Sequence, residues 1–201
     1  MAVEPEAGQR LITSAKELFH VRSYGSVGVQ ELCEHAGVRR GSFYYYFPSK
    51  RALVLAVLDD EWQSIRDEVL EPSFSLETPP LERFQRYIDL VYAFYRARTA
   101  REGGVFGGCA LANLGQEICG LDSLTLEKVS ELLDRTTSYY RRAFEDAIES
   151  GDLVDIDPQT AAERVRVYVQ GLLELAKFRN DPEVILRLSI DPRMLAVTAT
   201  R

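Results

Sequence analysis

The chain has 201 residues, a formal net charge of −7 and no apolar run long enough to span a bilayer, so we expect no membrane helix. Hydrophobic residues make up 46% and charged residues 27%, which is typical of a globular protein. The opening MAVEPEAGQR is acidic, so we expect no signal peptide, and three cysteines do not form a disulfide framework. These features predict a cytoplasmic protein with reduced thiols.

The charge is divided unevenly along the chain. Residues 9–51 carry seven basic and three acidic side chains, whereas residues 52–201 carry 17 basic and 26 acidic ones. A basic head on an acidic body is the asymmetry expected of a protein that presents one end to a polyanion. The distribution therefore predicts nucleic-acid binding by the head, although the net charge alone argues against it.

Three short helices are predicted in the head. After a flexible arm at residues 1–8, apolar residues at helical spacing predict a first helix that ends near residues 23–25. A second helix runs from Val29 to Ala36, and Gly37 lies in a tight turn before a third helix. Pro48 breaks the third helix, and Ser49 caps a long helix over residues 50–70.

The remaining elements are also predicted to be helical. A proline-rich linker at residues 71–80 precedes a helix over 81–95, and a glycine-rich connection leads to a short buried helix over 109–119. A long helix then covers 126–148, and the Asp-Pro pairs at 157–158 and 181–182 each start another. No segment alternates like a strand, so we predict an all-α fold.

The stretch VRRGSFYYYFPSK, residues 38–50, carries the candidate binding chemistry of the head. Arginines, a glycine and a serine stand at the start of the third helix, where backbone N–H groups and the helix dipole favour phosphate. Phe43 and Phe47 share a face and pin the helix to its neighbours, so Tyr44, Tyr45 and Tyr46 fan across the other sides. Phenols and arginines contact phosphates and base edges. The competing interpretation is that the tyrosines pack and the arginines form a solvated patch.

The sequence of the head resembles that of a known family. LITSAKELFHVRSYGSVGVQELCEHAGVRRGSFYYYFPSKRALVLAVL is similar in order and spacing to the DNA-binding domain of TetR family transcriptional regulators. The resemblance implies an all-helical homodimer with a helix-turn-helix DNA-binding domain over 1–50 and a ligand-binding and dimerisation domain over 51–201. It implies base contacts by Arg39, Arg40, Gly41, Ser42, Tyr45 and Tyr46, and phosphate contacts by Tyr44 and Lys50. This sequence departs from the family pattern at Ser23 and at Arg39, which stands where a hydroxyl residue often caps the helix.

The segment FGGCALANLGQEICGLD resembles one branch of that family, some members of which respond to electrophiles, oxidants or small unsaturated metabolites. Cys109 follows two glycines at a predicted helix start, where the helix dipole favours a thiolate, and Lys177 is the candidate neighbouring cation. The alternative is that Cys109 is a small packing residue, as we expect for Cys33 and Cys119.

Aromatic residues of the second domain are candidates for an effector pocket. Tyrosine hydroxyls and Asn113 would supply the few polar contacts that orient a ligand in an apolar site. Ordinary core packing is the alternative for each ring. The side chains that we select for the pocket, besides Cys109 and Lys177, are Asn113, Trp62, Tyr92, Phe106 and Tyr140.

The last two predicted helices carry apolar stripes that suggest a dimer interface. Pairing these helices across a two-fold axis would make a four-helix interface, and a palindromic operator would mirror its symmetry. The alternative is that the stripes cover the chain's own core. The residues that we assign to the interface are Val165, Val169, Leu172, Ala176, Val184 and Leu188.

The sequence favours a regulator over an enzyme or a metal sensor. The two histidines, His20 and His35, lie in the head, and no nucleophile elbow or phosphate-binding loop is present. Cys33 and His35 have poor spacing for a metal, so we expect neither a metal nor a cofactor. We predict a ligand- or redox-responsive repressor that binds a palindromic operator as a homodimer and is released by a small molecule or thiol modification. The rival is a helical protein-interaction module without specific DNA binding.

Overall fold

The structure is a computed structural model that describes residues 6–101, 103–118, 122–189 and 191–196. All the regular elements in those ranges are helices, as predicted. The helices in chain order are α1 Glu6–Val21, α2 Val29–Ala36, α3 Arg40–Tyr46, α4 Lys50–Ile65, α5 Glu71–Ser73, α6 Glu82–Arg101, α7 Ala110–Ile118, α8 Ser123–Glu149, α9 Pro158–Arg179 and α10 Val184–Arg187.

The chain divides into two compact units. The first unit contains residues 1–63 together with 110–130, and the second contains residues 64–109 together with 131–201. The helices α4 and α8 each run from one unit into the other. The proposed division at residue 50 thus differs from this one, in which α4 up to residue 63 and all of α7 belong to the unit of the basic head.

The core of the first unit is built from one face of each short helix. Leu11 and Ala15 of α1, Leu32 of α2 and Phe43 of α3 are all fully buried. Lys16 of α1 reaches α4, where its ammonium lies 2.7 Å from the Asp60 carboxylate and 3.1 Å from the buried Glu61. These contacts fix the positions of α1 and α4 within the unit.

The first residues of α1 correct the prediction of a flexible arm over residues 1–8. Residues 1–5 lie outside the described part of the chain, but residues 6–8 form the first turn of α1. Ala7 is buried, and a Cβ atom at Gly8 would lie 3.0 Å from the Tyr46 ring. This turn packs against α3 through the contact between Gly8 and Tyr46.

The core of the second unit is aromatic. Phe84 packs on Phe144 with ring centroids 4.7 Å apart, and Phe74 lies 5.6 Å from Tyr87 and 5.7 Å from Tyr140. Such tilted and edge-on pairs add to the free energy gained by burying the rings. The buried guanidinium of Arg83 pairs with Asp146 at the edge of this cluster.

Helix boundaries follow the predicted signals where a local cap forms. Asp157 caps α9 because its carboxylate accepts a hydrogen bond from the Thr160 N–H at 2.9 Å, and Pro158 occupies the first helical position. The prediction for residues 71–80 was wrong at its start, because a π-helical turn, Arg66–Leu70, connects α4 to α5 and the chain stays helical to Ser73. The helix after Asp181 is also only four residues long.

None of the helices in the described ranges has both the length and the apolar character needed to cross a membrane.

Candidate functional site

The helices α2 and α3 form a helix-turn-helix, and the turn between them begins at a glycine. Gly37 has φ 63, in the left-handed region that glycine adopts most readily, and its N–H reaches the Cys33 and Glu34 carbonyls. The Val38 N–H also donates to the Cys33 carbonyl at 2.9 Å. The turn therefore supplies hydrogen-bond donors to the carbonyl groups at the end of α2, and α3 begins two residues later.

The amino-terminal part of α3 faces solvent. Arg39, Arg40 and Gly41 are exposed, and Ser42 is half-buried. Arg39 occupies the N-cap position without a side-chain cap, as its departure from the family pattern suggests. A Cβ atom at Gly41 would meet no atom within 4 Å, so packing within the chain does not require glycine at this position.

The tyrosines of α3 divide into two exposed rings and one packed ring. Tyr44 and Tyr45 are 47% and 68% exposed, whereas Phe43 beneath them is fully buried. Tyr46 is half-buried and its ring covers Gly8 of α1, which corrects the expectation that all three rings face outward. The surface of α3 therefore presents two phenols beside two arginines.

Lys50, at the start of α4, is held by the turn after α1. Its ammonium group donates to the Tyr24 backbone carbonyl and lies 4.0 Å from the centroid of the Tyr24 ring. Burial lowers the pKa of Lys50, and the nearby Glu117 carboxylate opposes that effect. Glu117 in turn accepts a hydrogen bond from the Tyr24 N–H at 2.5 Å.

Cys109 is buried, with 6% of its surface exposed, and lies directly before α7. The preceding Gly108 has φ 73, and a Cβ atom there would lie 3.2 Å from Cδ of Lys177. The structure thus places the aliphatic stem of Lys177 against the glycine next to Cys109. Cys33 is buried in α2, and Cys119 lies outside the described residues.

The other residues selected for an effector pocket are divided between the two units. Phe106 and Tyr140 are buried in the second unit, where half-buried Tyr92 donates a hydrogen bond to Glu183. Trp62 and Asn113 belong to the first unit. The structure therefore does not gather the selected side chains within one unit.

Arg166, which the sequence analysis did not select, interacts with Tyr140. The Tyr140 and Tyr87 hydroxyls lie 2.6 Å apart in the core, and Tyr140, Cys109 and Tyr87 are the groups that interact with the Arg166 guanidinium. Arg166 lies on the same side of α9 as buried Ala162 and Val169. A charged residue within an apolar helical stripe was the signal that could have identified it.

The residues assigned to a dimer interface are mostly buried within the chain. Their stripe on α9 packs in the core of the second unit, which corrects the expectation that it faces a second copy, and Leu188 alone among the six is exposed, at 39%. The buried ones are Val165, Val169, Leu172, Ala176 and Val184. The opposite side of α9 carries exposed Val167 and Phe178.

Comparison with known proteins agrees with this architecture. Residues 11–57 match the model of bacterial regulatory proteins of the tetR family, and residues 80–189 match a tetracyclin repressor-like C-terminal domain. The transcriptional regulator AcuR of Cereibacter sphaeroides is 31% identical over 88% of this chain and 79% of its own length. The transcriptional repressor NemR of Escherichia coli K12 is 26% identical over 74% of this chain and 70% of its own.

Solved structures show the same arrangement of helices. A crystal structure of a regulatory protein TetR from Rhodobacter sphaeroides superposes with a TM-score of 0.79 and 27% identity over 95% of this chain and 97% of that one. The two family models together span the helix-turn-helix and most of the helical remainder. With its exposed helix α3 and this agreement over nearly the full length, the chain belongs to the TetR family of DNA-binding bacterial regulators.

Proposed function

We propose that this protein is a ligand-responsive repressor that binds a palindromic operator as a homodimer and inserts α3 of each protomer into the major groove. The observation that carries the proposal is the surface of α3. Exposed Arg39, Arg40, Tyr44 and Tyr45 stand on one short helix that buried Phe43 anchors. Guanidinium groups read guanine edges, and phenols contact phosphates or thymine methyl groups.

Gly41 supports close approach of a partner to α3. A glycine inside a helix costs about 0.5–1 kcal/mol relative to alanine, and here the chain itself has space for a side chain. Packing within the protomer therefore does not explain why this residue is a glycine. Close approach of a duplex would explain it, because a Cβ atom at this position would stand between the α3 backbone and the groove.

The exposed side of α9 is the best candidate for a dimer face. Val167 and Phe178 are 73% and 76% exposed, and Gly171, between them on the same helix, has no atom within 4 Å of a built Cβ. Large exposed apolar side chains around a small residue favour close packing of a symmetric partner. Two copies of α3 related by that symmetry would match the two half-sites of a palindrome.

Release by an effector is assigned to the second unit. AcuR and NemR are named as a transcriptional regulator and a transcriptional repressor, and both are similar to this chain over both of its parts. Cys109 is one candidate trigger, and its burial restricts reaction to small reagents. If Cys109 is only a packing residue, the trigger is the binding of a non-covalent ligand.

The thiol alternative is tested with N-ethylmaleimide and a labelled operator fragment. Wild-type protein should release the fragment on alkylation, and Cys109→Ser should retain it. The buried Cys33 of α2 provides the matched control, since Cys33→Ser should respond as wild type does. Release from the Cys109→Ser variant at an unchanged rate would assign the trigger to another group.

The repressor proposal itself is tested by selecting fragments from a random duplex library with the purified full chain. We expect an enriched palindrome that binds two protomers, with affinity falling steeply as salt rises. A helical protein-interaction module, the rival function, would enrich no sequence and would bind duplexes indifferently.

A further inference from the structure

The second unit contains a positive charge that pairs with no carboxylate among the described residues. Arg166 of α9 is half-buried, and its charge interacts with Tyr140, Cys109 and Tyr87. Within the described part of the chain, no carboxylate pairs with its guanidinium. By contrast, the buried Arg83 of the same unit pairs with Asp146.

This contrast requires an explanation because a guanidinium stays charged at every physiological pH. Removing a charge from water costs free energy that a counter-ion or several acceptors must offset. Arg83 obtains both from Asp146 and the Thr78 carbonyl, which accepts from its Nε at 2.8 Å. Arg166 instead hydrogen-bonds the Tyr140 hydroxyl and interacts electrostatically with Tyr87 and Cys109.

The two phenols do not neutralise Arg166. Burial raises the pKa of Tyr140 and raises that of Tyr87 well above its ordinary value, so both hydroxyls keep their protons at neutral pH. The Tyr140 hydroxyl donates to the Tyr87 oxygen at 2.6 Å. In that arrangement the Tyr87 O–H has no acceptor in the described part of the chain.

The cluster of Arg166, Tyr87, Tyr140 and Cys109 therefore offers hydrogen-bond donors and contains no carboxylate to accept from them. A guanidinium matches a carboxylate with two parallel N–H donors, and a neighbouring phenol supplies a third donor to the same group. We propose that this cluster anchors the carboxylate of a small organic acid, and that this acid is the effector of the repressor, an extension that rests on the function proposed above.

Binding is tested on the full chain with sodium propionate and sodium benzoate as probes. Propionamide and benzamide, at the same ionic strength, are the matched neutral controls. We expect at least one carboxylate to raise the Tm saturably and to give a calorimetric isotherm, and its amide to do neither. If no acid from acetate to octanoate or benzoate binds, or if the amides bind equally well, the proposal is overturned.

Variants assign the site. Arg166→Met should weaken carboxylate binding by roughly 100-fold, since a desolvated charge pair is lost. Tyr87→Phe keeps the ring and should weaken binding by roughly tenfold or more, the effect of losing one hydrogen bond to a charged group. The control is Arg164→Met, two residues earlier on α9, where Nη1 donates to the Leu195 carbonyl at 3.2 Å; it should bind as wild type does.

The stability of Arg166→Met separates a binding role from a structural one. Without ligand, loss of a charge that has no carboxylate partner in the described ranges should leave the Tm unchanged or raise it, whereas a structural arginine would lower it markedly and contradict the proposal. If this variant does not fold, Arg166→Lys and Tyr87→Phe carry the test. Operator binding is measured separately: carboxylate binding without any operator binding would refute the repressor and leave the anion site intact.

Discussion

The guanidinium carbon of Arg40 lies 5.8 Å from the centroid of the Tyr44 ring, one turn later on α3. The pair holds a cation over the face of an exposed phenol, a contact that restricts the arginine without burying it. Hydrogen bonding to Tyr44 raises the pKa of Arg40. The side chain is thus oriented before any duplex arrives.

Arg40→Ala should relax base preference at one position of each half-site and weaken the selected operator roughly tenfold or more per half-site. Tyr44→Leu, which removes the ring beneath the guanidinium, should have a smaller effect on the same position. The measurement is a competition series in which each base pair of the operator is varied. Equal weakening across all sequences would mean that Arg40 contacts phosphate instead.

Lys50 tests whether a lysine held within the protein also contacts DNA. Its ammonium uses one donor on the Tyr24 carbonyl, and two of its three donors remain for a phosphate. Lys50→Met should weaken all duplexes alike and reduce the slope of log K against log salt by about one per protomer. Lys128→Met, which removes the partner of Asp59 on α4, is the control and should leave the slope unchanged.

Gly41 and Gly115 provide a pair of glycines with opposite surroundings. A Cβ atom at Gly41 meets open space, whereas one at Gly115 of α7 would lie 3.0 Å from Cγ1 of Val129. Gly41→Ala should therefore raise the free energy of unfolding by about 0.5–1 kcal/mol and still weaken operator binding. Gly115→Ala should lower the free energy of unfolding by about 1–3 kcal/mol, since it overpacks the core.

Urea denaturation and operator titration separate these effects. A stabilised Gly41→Ala protein that binds the operator as well as wild type does would show that α3 does not approach the duplex at this residue.

Val167→Glu and Phe178→Glu should convert the proposed dimer to monomers, because each places a charge in the exposed apolar face of α9. Val154→Glu is the matched control, since Val154 is 70% exposed but lies outside α9, and its variant should remain dimeric. Sedimentation velocity measures the outcome. Dimers that persist in both α9 variants would assign the interface to another surface.

The sequence predicted the elements that depend on neighbouring residues. Gly37 ends α2 and Asp157 with Pro158 starts α9 as expected, because a left-handed turn and an N-cap are set by residues a few positions apart. The burial of Phe43 beneath Tyr44 and Tyr45 followed from helical spacing alone.

Features that depend on distant packing were not predictable in this way. The stripe that contains Val165 and Val169 has the same pattern whether its own unit or a second copy covers it. Tyr46 packs inward because Gly8, 38 residues earlier, leaves room for its ring. The electrostatic interaction of Arg166 with Tyr87 and Cys109 joins three segments that the sequence leaves far apart.

The most direct test is the affinity of the full chain for a selected palindromic duplex, measured from about 50 to 200 mM salt, a range over which 6–10 phosphate contacts change affinity by roughly 10³–10⁵. We predict two protomers per duplex, a steep loss of affinity across that range, and loss of the sequence preference in Arg40→Ala. Absence of any selected sequence, or an affinity that does not change with salt, would contradict the assignment of α3 as the DNA-reading surface.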